Sequence, residues 1–168
     1  MDNFKERLKD IKAFVFDVDG VFSENIVLHT NGDLMRYMNV KDGFAVKTAV
    51  DKGYIVGIIT GGNSESVSSR FKGLGVTDIY INSHDKLNDY EDFYMKYGLK
   101  PEQILYMGDD IPDYEPMKAS GLATCPADAV EEILNVAHYV SDKDGGKGCV
   151  RDVIEQVMRA QSVWFFYE

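Results

Sequence analysis

Short, uninterrupted apolar segments alternate along this chain with stretches that carry helix start and stop residues. The clearest apolar segment is Ala13–Phe16. Residues 104–107 form a similar segment, and residues 55–60 and 122–125 are apolar apart from one threonine each. A run that is apolar at every position suits a strand buried on both faces, because an exposed face would need polar residues at alternate positions. Strands that alternate with helices predict an α/β fold, a Rossmann-like, mostly parallel sheet with helices on both faces.

Helix-capping residues mark the stretches between these strands. Asp42 and Asp85 are suited to accept hydrogen bonds from the free amides at a helix start. The 168 residues are expected to form a single domain, residues 1–168, with a substantial core. We expect helices over residues 5–9, 42–52, 85–97, 126–136 and 150–160, a helix that begins at Asn63 or Ser64, and short strands over residues 79–81 and 139–140.

Residues 25–40 follow a different pattern. Asn31-Gly32 stands between two apolar runs, and both residues tolerate the positive φ that tight hairpin turns need. We therefore predict a β-hairpin, over about residues 22–40, that projects directly after the first strand.

The charge and the termini limit the partners of the chain. A formal net charge of −10 argues against nucleic acid, since phosphate backbones require cationic surfaces. No apolar run approaches the ~20 residues that span a bilayer, and the charged N-terminus lacks the apolar stretch of a secretion signal. A cytoplasmic protein without a membrane partner is the simplest interpretation. Cys125 and Cys149 are expected to be structural, because two thiols form no disulfide framework and these lack zinc-site spacing.

Two carboxylates, Asp17 and Asp19, follow the first predicted strand directly, and Gly20 then permits a sharp turn. Carboxylates at the end of a buried strand are costly unless a cation compensates their charge. The pattern indicates a metal-assisted site. The alternative is a loop in which both side chains only cap backbone amides.

A second acidic cluster follows a later apolar strand, where Gly108 precedes Asp109, Asp110 and Asp113. Neighbouring carboxylates repel one another unless a divalent ion gathers them. Asp113 could instead be a helix N-terminal residue that the helix dipole favours. That alternative does not explain Asp109-Asp110.

Thr60 and Lys86 complete the pattern near other predicted strand ends. Thr60, followed by Gly61, offers a hydroxyl and backbone amides to phosphoryl oxygens, and Lys86 offers a positive charge. Each signal is weak alone, because such turns and solvated lysines are common. Together the four signals are stronger evidence for a site, because they follow in the order acid pair, hydroxyl, lysine and acid cluster at predicted strand ends. Ligands bind parallel sheets outside the carboxyl ends of the strands.

This ordered set resembles the haloacid dehalogenase superfamily of phosphatases, whose four motifs match Asp17-Val18-Asp19-Gly20-Val21, Thr60, Lys86 and Gly108-Asp109-Asp110-x-x-Asp113. Within it, the chain resembles the family of 3-deoxy-D-manno-octulosonate 8-phosphate phosphatases. That resemblance rests on Val40-Lys41-Asp42-Gly43-Phe44, Thr60-Gly61-Gly62-Asn63-Ser64, Asp85-Lys86-Leu87 and Gly145-Gly146-Lys147-Gly148-Cys149-Val150-Arg151. It implies a magnesium-dependent phosphomonoesterase of lipopolysaccharide biosynthesis that acts on a small anionic sugar phosphate. It also implies no cap domain and a homotetramer assembled through the hairpins.

The sequence departs from that family at two positions. The family commonly carries Arg after Thr-Gly, where this chain has Gly62, and Ser23 stands where a threonine is usual. The first departure removes one expected anion contact. A related branch acts on a nine-carbon keto-deoxy sugar acid 9-phosphate, which is the alternative substrate.

The resemblance implies a role for each motif residue. Asp17 would be the nucleophile that forms an aspartyl-phosphate, and Asp19 the general acid and base. Mg2+ would be held by Asp17, the Asp19 backbone carbonyl and Asp109, while Asp110 and Asp113 hold its waters or orient Lys86. Arg70, Lys147 and Arg151 are candidate cations for the substrate carboxylate, or else surface residues. The expected substrate contacts are Thr60, Gly61, Asn63, Arg70, Lys86 and Lys147.

Two functions of other classes compete with this one. A receiver-type phospho-acceptor domain also combines an acidic pocket, magnesium, Thr and Lys, but its phosphorylated Asp follows the third strand, where this chain has Ile81-Asn82-Ser83. A catalytically idle tetramerisation module is the second alternative, which the complete set of carboxylates disfavours. The final Trp164-Phe165-Phe166-Tyr167 is too apolar for a free tail, and we expect it to dock on its own chain or on a partner.

Overall fold

The computed structural model describes residues 3–165, and a six-stranded parallel sheet forms its centre. The strands are β1 (Ala13–Phe16), β4 (Ile55–Ile59), β5 (Asp78–Tyr80), β6 (Ile104–Met107), β7 (Leu122–Cys125) and β8 (Tyr139–Val140), in the spatial order β5-β4-β1-β6-β7-β8. β4 and then β5 lie on one side of β1, and β6, β7 and β8 follow on the other side. The predicted fold class is confirmed.

Seven α-helices surround this sheet within the described residues. One core cluster joins Val46, Phe71 and Ile154 on one face of the sheet, and a second joins Phe93 and Met117 on the other. The helices are α1 (Phe4–Arg7), α2 (Val40–Asp51), α3 (Glu65–Gly73), α4 (Lys86–Lys96), α5 (Tyr114–Ala119), α6 (Glu131–Val136) and α7 (Cys149–Ala160). Helices α2, α3 and α7 contribute to the first cluster, and α4, α5 and α6 to the second.

The predicted hairpin is present as an antiparallel pair, β2 (Ile26–Leu28) with β3 (Leu34–Arg36). Gly32 adopts a φ of 89° in the turn, which favours glycine. Asn31 contributes through its side chain instead, because its Oδ1 accepts a hydrogen bond from the Asp33 amide at 3.0 Å. That a single domain spans residues 1–168 stays a prediction.

The helix predicted over residues 126–136 is wrong in its first part, since α6 begins only at Glu131. The Ala127 amide donates to the Lys143 carbonyl at 2.9 Å, and the Val130 amide donates to the Asp109 carbonyl at 3.0 Å. These tertiary bonds hold the segment against the Asp109 loop and the Lys143 loop in place of a helical turn. The helix predicted to start at Asp42 is also wrong at its start, because Asn39 caps α2 by accepting from the Lys41 amide. The other predicted elements differ only at their ends.

Asp42 serves a different helix. It is completely buried within α2, and its Oδ1 accepts a hydrogen bond from the Arg151 amide at 2.8 Å, in the first turn of α7. Gly148, at the N-cap of α7, has no side chain to do this. Asp42 therefore caps a helix more than one hundred residues away in sequence, and it brings together the two segments, 40–44 and 145–151, that the sequence analysis singled out.

The last described residues pack on the same junction. Trp164 is buried, its ring lies edge-on to Phe44 with centroids 6.5 Å apart, and the Arg151 guanidinium lies 5.5 Å from its centroid. The expected docking thus holds for Trp164, on its own chain, while Phe166 and Tyr167 lie outside the described residues. Within residues 3–165, no helix has both the length and the apolar character that crossing a membrane would require.

The Asp42→Asn variant tests the cost of this buried carboxyl group. Burial raises the pKa of Asp42 from 3.8 to about 6, so the native state binds a proton more tightly than the unfolded chain does. The free energy of unfolding of the native sequence should therefore fall as the pH rises from about 4 to about 6, by up to roughly 3 kcal/mol. Asp42→Asn, which keeps the acceptor oxygen, should lack this loss.

Urea denaturation at several pH values measures the difference between the two proteins. Asp10→Asn is the matched control, because Asp10 is exposed, and it should follow the native sequence. Parallel stability curves for Asp42→Asn and the native sequence would contradict the raised pKa of Asp42 in the folded state.

Candidate active site

The carboxyl ends of the central strands place the predicted motif residues at one edge of the sheet. Asp17 follows β1, Thr60 follows β4 and Asp109 lies just beyond β6. β1 pairs with β4 on one side and with β6 on the other. The three loops therefore converge at the topological switch point, where the strand order reverses. An open cavity of about 690 Å³ lies there. It is lined by residues that include Asp17, Asp19, Thr60, Gly61, Lys86, Asp109 and Asp110.

Three carboxylates meet at the floor of this cavity. One oxygen each of Asp17, Asp109 and Asp113 lies within 4.8 Å of the others. Burial raises the pKa of Asp17 well above its usual range, with the neighbouring Asp113 carboxylate adding to it. Burial and Asp113 likewise raise the pKa of Asp109 to about 7. The cluster therefore resists full ionisation without a cation.

The cluster has the character of a divalent metal site. Asp109 Oδ1 is buried and has no hydrogen-bond partner among the described residues. Such an oxygen is costly to bury unless it binds something. Hard divalent cations prefer carboxylate oxygens, so the donor set fits such an ion.

Lys86 supplies the positive charge beside this cluster. It is the first residue of α4, and its Nζ lies 2.9 Å from Asp17 Oδ2 and 2.8 Å from Asp113 Oδ1. Burial lowers the pKa of Lys86, but the two carboxylates outweigh burial and raise it, so the side chain stays charged. Asp113 is completely buried and also accepts a hydrogen bond from the Tyr106 hydroxyl at 2.9 Å. It thereby anchors Lys86 against Asp17.

The Asp17 carboxylate is held at both oxygens. Its Oδ1 accepts a hydrogen bond from the Val18 amide at 2.7 Å, while Oδ2 faces Lys86. Thr60 stands nearby on the cavity wall, where its Oγ1 accepts from the Gly62 amide at 3.2 Å. Because the hydroxyl carries one proton of its own, Thr60 can still donate to a ligand oxygen.

Asp19 is held by a residue that the sequence analysis missed. Arg36, on β3 of the hairpin, binds it through both oxygens, with Nε 2.5 Å from Oδ1 and Nη2 3.0 Å from Oδ2. The Arg36 side chain is only 4 % exposed. The available signal was a lone cation in an otherwise apolar hairpin strand, Leu34-Met35-Arg36-Tyr37-Met38.

Three of the predicted substrate contacts lie outside the lining of this cavity. Asn63 is exposed, and the Arg70 guanidinium lies against Gly43 of α2. Lys147 pairs with Glu24, which does line the cavity, at 2.8 Å. The substrate-binding roles of these three residues stay predictions.

The fold and the acidic cavity match a known class of enzyme. Residues 63–153 match the family model of the haloacid dehalogenase-like hydrolases. The chain belongs to this family. The enzyme class inferred from the four motifs, a phosphatase of the superfamily, is therefore confirmed, and the receiver-domain alternative is not favoured.

Within that family, several of the similar proteins are phosphatases of one kind. The chain is 35 % identical to the 3-deoxy-D-manno-octulosonate 8-phosphate phosphatase KdsC of Yersinia pestis, over 95 % of this chain and 86 % of the relative. The crystal structure of the Yersinia pestis phosphatase superposes with a TM-score of 0.93 at 34 % identity, over 96 % of this chain and 88 % of that one. The Moraxella catarrhalis phosphatase, solved with a magnesium ion, a phosphate ion and a KDO molecule, has a TM-score of 0.92 at 32 % identity, over 96 % and 94 % of the two chains. The resemblance inferred from the sequence is confirmed.

Divalent metal binding should be coupled to proton release. Since the pKa of Asp109 is about 7, a cation must displace its proton below that pH. The affinity should fall by about tenfold for each pH unit below 7 through the Asp109 proton, and more steeply where Asp17 is protonated as well. Isothermal titration with MgCl2 in two buffers of different ionisation enthalpy measures both the affinity and the protons released.

The carboxylate variants make this titration specific. Asp109→Asn should abolish the binding heat, and the exposed Asp10→Asn should leave it unchanged. Equal affinities on both sides of neutrality, with no proton released, would contradict the raised pKa of Asp109. An undiminished binding heat in Asp109→Asn would contradict its assignment as a ligand.

Proposed function

We propose that this chain is a magnesium-dependent phosphatase that hydrolyses 3-deoxy-D-manno-octulosonate 8-phosphate to the free sugar acid and phosphate. The observation that carries the proposal is the setting of Asp17, a carboxylate fixed at a strand end between the Lys86 ammonium and the Asp109–Asp113 pair. The names of the relatives and the molecules bound in the Moraxella catarrhalis structure support the choice of substrate.

The acidic cluster is the proposed magnesium site. Asp17, Asp109 and the backbone carbonyl of Asp19 would ligate the ion, with Asp110 and Asp113 around them. A bound Mg2+ would neutralise charge on the phosphoryl oxygens and so allow a carboxylate to approach them. Lys86 and Thr60 would bind the remaining phosphoryl oxygens from the cavity wall, together with the backbone around Gly61.

The proposed reaction has two steps at Asp17. In the first, an Asp17 oxygen attacks phosphorus, the phosphorus–oxygen bond to the sugar breaks, and Asp19 gives a proton to the leaving oxygen. In the second, Asp19 takes a proton from water, which attacks the aspartyl-phosphate and releases inorganic phosphate. Lys86 holds the Asp17 carboxylate in place, because its Nζ lies 2.9 Å from Oδ2. The nucleophile therefore enters the reaction already oriented.

A panel of phosphate esters, assayed with and without MgCl2, tests the function. The eight-carbon sugar acid 8-phosphate should give the highest kcat/KM, above the nine-carbon 9-phosphate and above a sugar phosphate without a carboxylate. Chelation with EDTA should remove the activity. Preference for the nine-carbon substrate would replace the substrate assignment and leave the reaction class intact.

The Asp17→Asn variant tests the nucleophile. The activity should fall by at least about a thousandfold, because an amide cannot take up the phosphoryl group. Asp10→Asn, which removes an exposed carboxylate outside the site, should keep full activity. Appreciable turnover by Asp17→Asn would reject the aspartyl-phosphate.

We further propose that the chain assembles as a homotetramer through the hairpin, in the cytoplasm. The hairpin presents large apolar side chains to solvent, with Leu28 77 % and Tyr37 82 % exposed. Such side chains on a projecting element favour burial against other copies.

Replacing Leu28 by Asp should reduce the mass in solution, because a charge at that surface opposes its burial. Met95→Asp is the matched control, since Met95 is also exposed, at 64 %, but lies on α4. Light scattering coupled to size-exclusion chromatography measures the mass. A monomeric native chain, or a tetramer indifferent to Leu28→Asp, would contradict this assembly.

A further inference from the structure

We propose that Arg36 is the positioning residue of Asp19, through which the hairpin orients the acid–base group of the active site. The inference rests on the phosphatase function proposed above, and it concerns a residue outside the four motifs. It starts from the requirement that a general acid or base must lie within hydrogen-bond reach of the proton it transfers.

Asp19 needs an external support to meet that requirement. Its side chain is 32 % exposed on the loop after β1, and the other side-chain contact described for it is a long hydrogen bond of 3.3 Å from the Ser23 hydroxyl. A partly exposed carboxylate on a loop samples several rotamers unless strong bonds restrict it. Arg36 supplies two such bonds, one to each oxygen.

The guanidinium of Arg36 is itself fixed. Its Nη1 donates to the Leu34 carbonyl at 2.8 Å, while Nε and Nη2 bind Asp19. Three donors of one planar group are thus committed, and the side chain is 4 % exposed. A planar fork held in this way fixes both the position and the plane of a carboxylate, which the single ammonium of a lysine cannot do.

The Arg36–Asp19 ion pair lies beside Thr60, where the phosphoryl group is expected to bind. A Cβ atom added to Gly62 would lie 3.1 Å from Arg36 Nη2, 3.5 Å from Asp19 Oδ2 and 3.5 Å from Thr60 Oγ1. Gly62 therefore leaves the space that the Arg36 side chain occupies beside Thr60. A larger residue at position 62 would compete with Arg36 for this space.

The hairpin delivers Arg36 to this place. Arg36 pairs with Ile26 in the β2–β3 register, and Ile26 itself lines the active-site cavity. The hairpin thus contributes one wall of the cavity and the cation that holds Asp19. Displacement of the hairpin would move Asp19 with it.

A double-mutant cycle tests the proposal with the sugar phosphate that the native chain hydrolyses best, because its alkoxide leaving group needs the proton that Asp19 donates. Arg36→Met should lower kcat about 10- to 100-fold and change KM by less than about twofold, since it disturbs the reacting group and not binding. In an Asp19→Ala background the same change should lower kcat by less than about twofold, because the residue to be positioned is gone. Arg36→Lys, with one donor group, should restore only part of the loss.

Two controls keep the cycle interpretable. Arg159→Met removes an exposed arginine paired with Glu155 on α7, away from the site, and should leave kcat unchanged. Thermal unfolding of each variant detects a loss of folding directly. The two Asp19 backgrounds give a second criterion, because misfolding lowers kcat equally in both.

Three results would overturn the role of Arg36. The first is an undiminished effect of Arg36→Met on kcat in the Asp19→Ala background, and the second is full activity of Arg36→Met. The third is a rise in KM at constant kcat, which would make Arg36 a substrate-binding residue. Failure of the phosphatase proposal is distinguishable, because it would appear as no phosphate release by the native chain, whatever the outcome at Arg36.

Discussion

Repulsion among three buried carboxylates is the constraint on which the rest of this structure depends. Asp17, Asp109 and Asp113 come from two loops separated by some ninety residues, yet their oxygens lie within 4.8 Å of one another. In a low-dielectric setting such an arrangement is costly, and the raised pKa values of Asp17 and Asp109 express that cost. Lys86 offsets part of it at 2.8–2.9 Å, and a divalent cation would offset the rest. This electrostatic cost favours binding of a divalent cation at the cluster.

Glycine makes this crowding sterically possible. Gly20 has a φ of 84°, and a Cβ atom there would collide with the Asp109 carboxylate, while one at Gly108 would collide with Asp113. Gly145 lies against the Gly20 carbonyl from the other side, and the Gly146 amide donates to the Val21 carbonyl at 2.8 Å. The 145–148 loop therefore supports the first acidic loop from behind. Gly145 and Gly146 serve close packing in this structure.

Two polar contacts connect the site to distant parts of the chain. Asp42 caps α7 from within α2, which holds the 145–148 loop that precedes α7. Arg36 binds Asp19 from the hairpin, which connects a projecting element to the proposed acid–base group. Asp42 and Arg36 are both charged side chains that are at least half-buried. Their positions depend on elements far away in sequence. The active site is thus supported on one side by the α2–α7 junction and on the other by the hairpin.

The sequence by itself determined the parallel sheet and the identity of the acidic motif residues, because strand burial and carboxylate patterns are local signals. Ala13–Phe16 followed by Asp17 predicted both a buried strand and a charged group at its end, and the structure has both. Tertiary structure alone decided the role of Asp42, the lost helical start at residues 126–130, and the pairing of Arg36 with Asp19. A single arginine or aspartate carries no local mark of its partner. Which charge it meets depends on how the hairpin and helices pack, and that follows from burial over the whole chain.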